Sequence, residues 1–272
     1  MLRVLSLGAG VQSSTMALMA TVGEIEPMPD AAIFADTGWE PKAVYNHLNW
    51  LCSGVLAFPV HRVQRGNIRH DLSGLHEHGK TRLQGRGIPV PYFVKTERPG
   101  GGRLQRQCTK HYKLEPIRVK LRELMGLKPG QRVGKRKVEV WIGISTDEIM
   151  RVKPAHEPWI TRRWPLIEKE MSRWDCLRWL EDFKFPKPPK SACIGCPYHN
   201  NAMWREMKMD RPEEFADAVE VDGFIRNGLP TSREGLYVHR SLKPLKDVDF
   251  RNLEDRGQLN LFNEECEGMC GV

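Results

Sequence analysis

Short apolar runs alternate with helix-length segments along the first third of the chain. Leu2–Leu7 reads as a strand, and the run Met16-Ala17-Leu18-Met19-Ala20 predicts a helix over Thr15–Val22. Ala31–Ala35 is a second strand, Pro41–Cys52 a helix with proline in its first turn, and Val55–Arg62 a third strand. Residues 64–107 lose the period and read as long loops, with Arg98-Pro99-Gly100-Gly101-Gly102-Arg103 as a flexible linker or a substrate lid. The pattern returns in a helix over His111–Gly126, with Ile117, Leu121 and Leu124 on one face, and in a strand over Val138–Ile144. A helix over Ser172–Phe183 carries Trp174, Leu177, Leu180 and Phe183 as a core stripe, and further helices follow at Ala202–Met209 and Pro212–Asp222. Strands separated by helices predict an α/β fold with a doubly wound, mostly parallel sheet. The expected division is an α/β domain over 1–165 and a helical, cysteine-containing C-terminal extension over 166–272.

Composition narrows the class. The chain has 272 residues, 40% of them hydrophobic, enough for a sizeable core. No apolar run reaches the roughly eighteen residues a membrane span needs, and the first residues read as a strand, not a signal peptide. The seven cysteines include the close pair Cys193/Cys196, and with no secretion signal they point to metal or redox chemistry in a reducing cytoplasm. Positive residues concentrate between His61 and Lys137 within a net charge of +8, which reads either as a solvated surface or as a polyanion site.

Two turns carry candidate chemistry. Between the first strand and helix lie Ser6, Gly8, Gly10, Gln12, Ser13, Ser14 and Thr15. A small-residue turn leading into a helix aims amide N–H groups and the positive helix end at one spot, which suits a phosphate. It lacks the lysine of the Walker loop and the third glycine of the dinucleotide fingerprint. The second strand stops at Phe34-Ala35-Asp36-Thr37-Gly38, on the sheet edge where ligands of parallel sheets gather. Further on, Cys193-Ile194-Gly195-Cys196-Pro197 has the spacing of a metal-binding knuckle, for an iron–sulfur cluster or for zinc completed by His111 or His199.

Together the Ser6–Ser14 turn and Phe34–Gly38 resemble the PP-loop ATP pyrophosphatases, an adenine nucleotide α-hydrolase-like superfamily, and within it the phosphoadenosine phosphosulfate (PAPS) reductase branch. Three more segments agree in type and order: Trp141–Arg151 resembles a Gly-Ile-x-x-x-Glu-x-x-Arg segment, Pro165-Leu166-Ile167 with Trp174-Asp175-Cys176 a second, and Cys108–Ile117 with Ser191–Pro197 the two cysteine segments of iron–sulfur members. The chain departs from the family's Ser-Gly-Gly-x-Asp-Ser pattern, since Leu7 replaces a glycine and Gln12 an aspartate. It has Gln107-Cys108 where assimilatory reductases have a cysteine pair.

The resemblance implies ATP or PAPS at Ser6–Thr15 and Phe34, Asp36, Thr37 and Gly38, with Mg2+ in doubt because Gln12 cannot anchor a metal as a carboxylate does. It implies a [4Fe–4S] cluster, or Zn2+ instead, on Cys193 and Cys196 with Cys108, Cys176 being the next choice as the start of the helix running towards the knuckle. Ser13, Lys110 and Arg151 would hold and neutralise the transferred group, and Cys266 is the candidate thiol nucleophile of a tail that also holds Cys270. The leading expectation is ATP cleavage between its α and β phosphates, adenylating an acceptor of sulfur or nitrogen. One alternative is thioredoxin-dependent reduction of a sulfonucleotide. A second is a nucleic-acid-binding or modification subunit using the basic 61–137 region. Thioredoxin or a sulfur-donor protein is the implied partner.

Overall fold

The computed structural model describes residues 1–78, 89–96, 101–226 and 235–251, and at 74–78 the backbone alone. In chain order the strands are β1 (Leu2–Leu7), β2 (Ala31–Asp36), β3 (Val60–Gln64), β4 (Phe93–Val94), β5 (Gly102–Arg103), β6 (Val138–Ile142), β7 (Ile160–Arg163) and β8 (Leu236–Tyr237). The α-helices are α1 (Val11–Thr21), α2 (Lys42–Trp50), α3 (Ile68–His78), α4 (Glu115–Leu124), α5 (Pro165–Glu168), α6 (Arg173–Asp182), α7 (Asn201–Asp210) and α8 (Pro212–Arg226).

Two compact units result. The first comprises Met1–Asp36, Lys42–Arg65 and Lys113–Ser191. Its five strands run parallel in the order β3-β2-β1-β6-β7. The period of two along each strand divides the apolar side chains between two cores. Leu5, Leu7, Ala32, Phe34 and Trp141 join α1 and α6 residues on one face. Val4, Ile33, Val138, Val140 and Ile142 join Leu121 of α4 on the other. Near-continuous apolar strands with helices on both faces define a doubly wound α/β sheet, as the residue pattern predicted.

Local departures have physical causes. Helix α1 begins at Val11, four residues earlier than expected, because Thr15 and Thr21 turn their hydroxyls back onto the carbonyls of Val11 and Ala17 instead of capping. It is buried almost all round, as a central helix must be. Half of the expected stripe on α6 faces the core: Leu180 is buried and Leu177 packs beside it, whereas Trp174 and Phe183 are 58% and 44% exposed and Cys176 is buried. A capping box of Ser172 and Asp175 sets the start of α6 and hence its phase.

The second unit comprises Thr37–Pro41, Gly66–Tyr112 and Ala192–Val272. The units therefore interleave, and the division expected at residue 165 does not occur, because α6 packs on α1 and keeps the segment up to Ser191 in the first unit. Nor is 64–107 all loop: it supplies α3 and two strands of an antiparallel sheet in the order β5-β4-β8. Strands of two residues are too short to leave a periodic signal. The core gathers Tyr92, Tyr112, Trp204, Phe215 and Phe250. Asp222, on α8 and fully buried, accepts from the Val238 and Leu245 amides at 3.0 and 2.9 Å and from Arg226 at 2.5 Å. One carboxylate thereby ties α8 to the chain returning through β8.

Candidate functional site

The strand order makes β1 the point at which the sheet reverses direction: the chain first adds β2 and β3 on one side, then returns to add β6 and β7 on the other. Crevices at such points, beyond the carboxyl ends of the strands, are where open α/β sheets bind ligands. The β1–α1 turn occupies this position. Gly8 is exposed, Ala9 is buried with a φ of 53°, and Gly10 precedes the helix without a capping side chain. A left-handed alanine costs about 1 kcal/mol, and such strain collects at ligand clamps. The Gly8 amide donates to Ser13 Oγ at 3.1 Å, and Ser13 Oγ donates to the Gly10 carbonyl at 3.3 Å. The first turn of α1 has no acidic residue to offset its dipole.

The return side of the sheet closes this turn. Gly143, just beyond β6, lies so near that a Cβ there would stand 2.9 Å from the Ser13 amide nitrogen. Gln12 donates to Ser145 at 3.4 Å and accepts from Arg173 at 3.1 Å, while the Arg173 amide is held by Asp147 at 2.8 Å. Arg173 is the first residue of α6, so a guanidinium from that helix reaches Gln12 in the first turn of α1. Where the family pattern has a carboxylate, this chain has an amide bonded to an arginine.

The remaining expected residues divide. Ser14 and Thr15 are fully buried, and their hydroxyls are committed to His47 at 2.9 Å and to the Val11 carbonyl. Ser6 is half-buried within β1, and the Phe34 side chain packs in the core, so both contribute to the edge mainly through backbone. Asp36 sits at the end of β2, held by the Tyr45 hydroxyl at 2.8 Å and by Arg62 at 2.9 and 2.5 Å. Arg151 pairs with Glu148 in the turn after β6, and Arg173 reaches Gln12. No sequence signal marked Arg173 or His47.

Burial lowers the pKa of His47 to about 4. The unfolded chain takes up this proton near the ordinary histidine value of 6.5, whereas the folded chain refuses it until about pH 4. Stability should therefore fall as the pH drops through 6.5 and level off below about 4, by up to about 3 kcal/mol from this group. His239, also lowered to about 4 by burial, adds a slope of the same sign. Thermal melts between pH 7 and 4.5 check this; His47→Gln should flatten the curve, and equal slopes in the two proteins would refute the assignment.

The second unit holds the knuckle. The Cys196 amide donates to the Cys193 carbonyl at 3.1 Å, and the Ile194 amide to Trp39 at 2.9 Å. Only glycine fits at 195, since a Cβ would stand 2.0 Å from the Trp39 ring, which Asp217 fixes through its Nε1 at 2.5 Å. The Cys193 thiol lies 3.2 Å from Thr37 Oγ1 and 3.6 Å from Glu40 Oε1. Thr37 thus faces the knuckle, and Gly38, with φ +73°, packs on Asn67. Cys108 joins Cys193 against the core containing Tyr92. Cys176 belongs to the first unit, buried in its core, where burial pushes its thiol up to about 12. Lys110 is exposed two residues after Cys108. Among the described residues no three His, Cys, Asp or Glu side chains are arranged to hold a single metal ion. Cys266 and Cys270 lie outside the described residues.

The basic region is not one free patch. Arg62 serves Asp36, Arg65 pairs with Glu115, and Arg69 bridges Asp217 and Glu220. Arg103 and Arg106 stack on Tyr198 at 5.2 and 5.6 Å. Lys80, Arg82, Arg86 and Arg98 lie outside the described residues. No described helix is long and apolar enough to cross a membrane.

No protein-family profile matches the chain, and no curated protein sequence matches it. Among solved structures, phosphoadenylyl-sulfate (PAPS) reductase from Candida auris, in its phosphate complex, aligns over 68% of this chain and 74% of its own, at 11% identity and a TM-score of 0.43.

Proposed function

We propose that the chain is an enzyme that binds the phosphate end of an adenine nucleotide at the β1–α1 turn. The observation that carries this reading is the turn at the sheet's reversal point, which combines a helix N-terminus without a side-chain cap, a left-handed Ala9 and the Arg173–Gln12 contact. The first reading of the chemistry is ATP cleavage between the α and β phosphates to adenylate an acceptor of sulfur or nitrogen. Ser13 and the first-turn amides hold phosphate oxygens, and Arg173 offsets charge that develops on them. Mg2+ would arrive with the phosphates, since the amide of Gln12 stands where a carboxylate anchor would be. That same amide favours a second reading, thioredoxin-dependent reduction of PAPS, which needs no such anchor.

Cys108, Cys193 and Cys196 are soft ligands suited to an iron–sulfur cluster. The alternative is a zinc ion, which thiolates also hold. When bound, a cluster supplies one-electron chemistry.

The test is pyrophosphate release from ATP and Mg2+, run beside sulfite release from PAPS with thioredoxin. Ser13→Ala, which removes the bridge between Gly8 and Gly10, should weaken nucleotide binding about tenfold. Failure of both nucleotides to bind would refute the assignment.

A further inference from the structure

The small antiparallel sheet of the second unit has a face that the core does not use. Side chains along a strand alternate between the two sides of its sheet. Val94 and Leu236, themselves a cross-strand pair, pack on the core. Phe93, Arg103 and Tyr237, which pair directly across β5, β4 and β8, share the other side. Phe93 is half-buried there and Arg103 is exposed. Lys95, exposed just beyond β4, lies over the Tyr237 ring at 5.4 Å. Arg106 joins Arg103 on Tyr198, at 5.6 and 5.2 Å from the ring centre.

Two guanidiniums that converge on one ring repel each other unless an anion joins them. The ion pairs of this unit serve other cations: Asp217 and Glu220 hold Arg69, and Asp222 holds Arg226. Among the described residues no carboxylate pairs with Lys95, Arg103 or Arg106, whose contacts are the two tyrosine rings. Arg106 Nε is moreover buried without an acceptor among those residues. A buried N–H in that state is costly, so it calls for an acceptor from outside the chain. Cations beside outward-facing rings are the equipment of surfaces that hold single strands, where the cations track phosphates and the rings stack bases. An acidic protein would match the charge but gives Phe93 no reason to face outward.

We propose that the outer face of the β5-β4-β8 sheet binds a single strand of nucleic acid. Arg103, Arg106 and Lys95 take the phosphates, and Phe93 stacks a base. Tyr198 and Tyr237 hold the cations in place through their rings. This surface is independent of the nucleotide reading: its residues all belong to the second unit, and the β1–α1 turn belongs to the first.

The experiment follows the fluorescence anisotropy of labelled oligo(dT), oligo(U) and a DNA duplex with the full chain at rising salt. A single strand should bind, the duplex severalfold more weakly, and affinity should fall as salt rises. The double variant Arg103→Ala, Arg106→Ala should bind about tenfold more weakly. Its slope of log affinity against log salt should shrink by about 1.4, the value for two lost phosphate contacts on a single strand. Phe93→Leu keeps the apolar bulk and removes the flat ring; it should bind severalfold more weakly with the salt slope unchanged. Titrations with ATP and PAPS should be the same in all three proteins. Four results overturn the proposal: no binding at low salt, a variant that binds as tightly as the unsubstituted chain, a duplex held as tightly as a single strand, or polyglutamate competing as well as oligo(dT). A matching loss of nucleotide affinity in the variants also overturns it, by placing these side chains on the nucleotide instead.

Discussion

Gly143→Ala should cost about a hundredfold in affinity for ATP or PAPS while leaving the protein folded. The new methyl would stand 2.9 Å from the Ser13 nitrogen, 3.1 Å from its Cα and 3.2 Å from the Gln12 carbonyl carbon. All three are main-chain atoms, so no side chain can swing aside, and the first turn of α1 must move. The overpacking itself costs about 1–3 kcal/mol. The larger loss is functional, because misplacing amides that hold a ligand by something under an ångström costs orders of magnitude. Gly8→Ala is the comparison: its Cβ meets only Ser13 Oγ at 3.6 Å, an ordinary contact, and melting should not change. Calorimetric titration with each nucleotide measures the first effect and thermal melting the second. Wild-type affinity in Gly143→Ala would remove the turn from the site.

Asp222→Ala should be the most damaging single substitution for stability. It strips acceptors from two buried amides and leaves Arg226 without its buried partner. Breaking a buried, hydrogen-bonded charge pair costs about 3–5 kcal/mol, a fall in melting temperature of roughly 10 °C in a chain of this size. Asp222→Asn should recover part of the loss, since its amide oxygen can still accept. Tryptophan fluorescence reports on the core around Trp204, which belongs to the same unit. A change below about 1 kcal/mol would mean that water replaces the carboxylate.

Strands β1, β2 and β6 were legible as short apolar runs bounded by turn residues, and Leu2–Leu7 was found to the residue, whereas β7, Ile160-Thr161-Arg162-Arg163, has no such run and was not expected. The β1–α1 turn was legible from its small residues and position. Its inner roles were not: Ser14 and Thr15 have the same hydroxyl as Ser13, and only the helix phase turns them inward. Arg173 escaped notice because a residue 161 positions from Gln12 leaves no local trace of the contact. The antiparallel sheet failed to register because its paired stretches are shorter than any period.

The chain's repeated passage between its two units limits how it can be dissected. The parallel sheet is complete by Ser191, yet Thr37–Pro41, threaded between β2 and α2, carries Trp39, whose cover comes from later residues including Ile194 and Phe215. On a ribosome, the earlier unit has all its strands in hand while its neighbour is still waiting for its final segment. No single cleavage site, fusion junction or gene fragment can therefore yield one unit cleanly. A version cut after Ser191 keeps the β1–α1 turn but carries Trp39 without the Gly195 and Asp217 that lie against its ring.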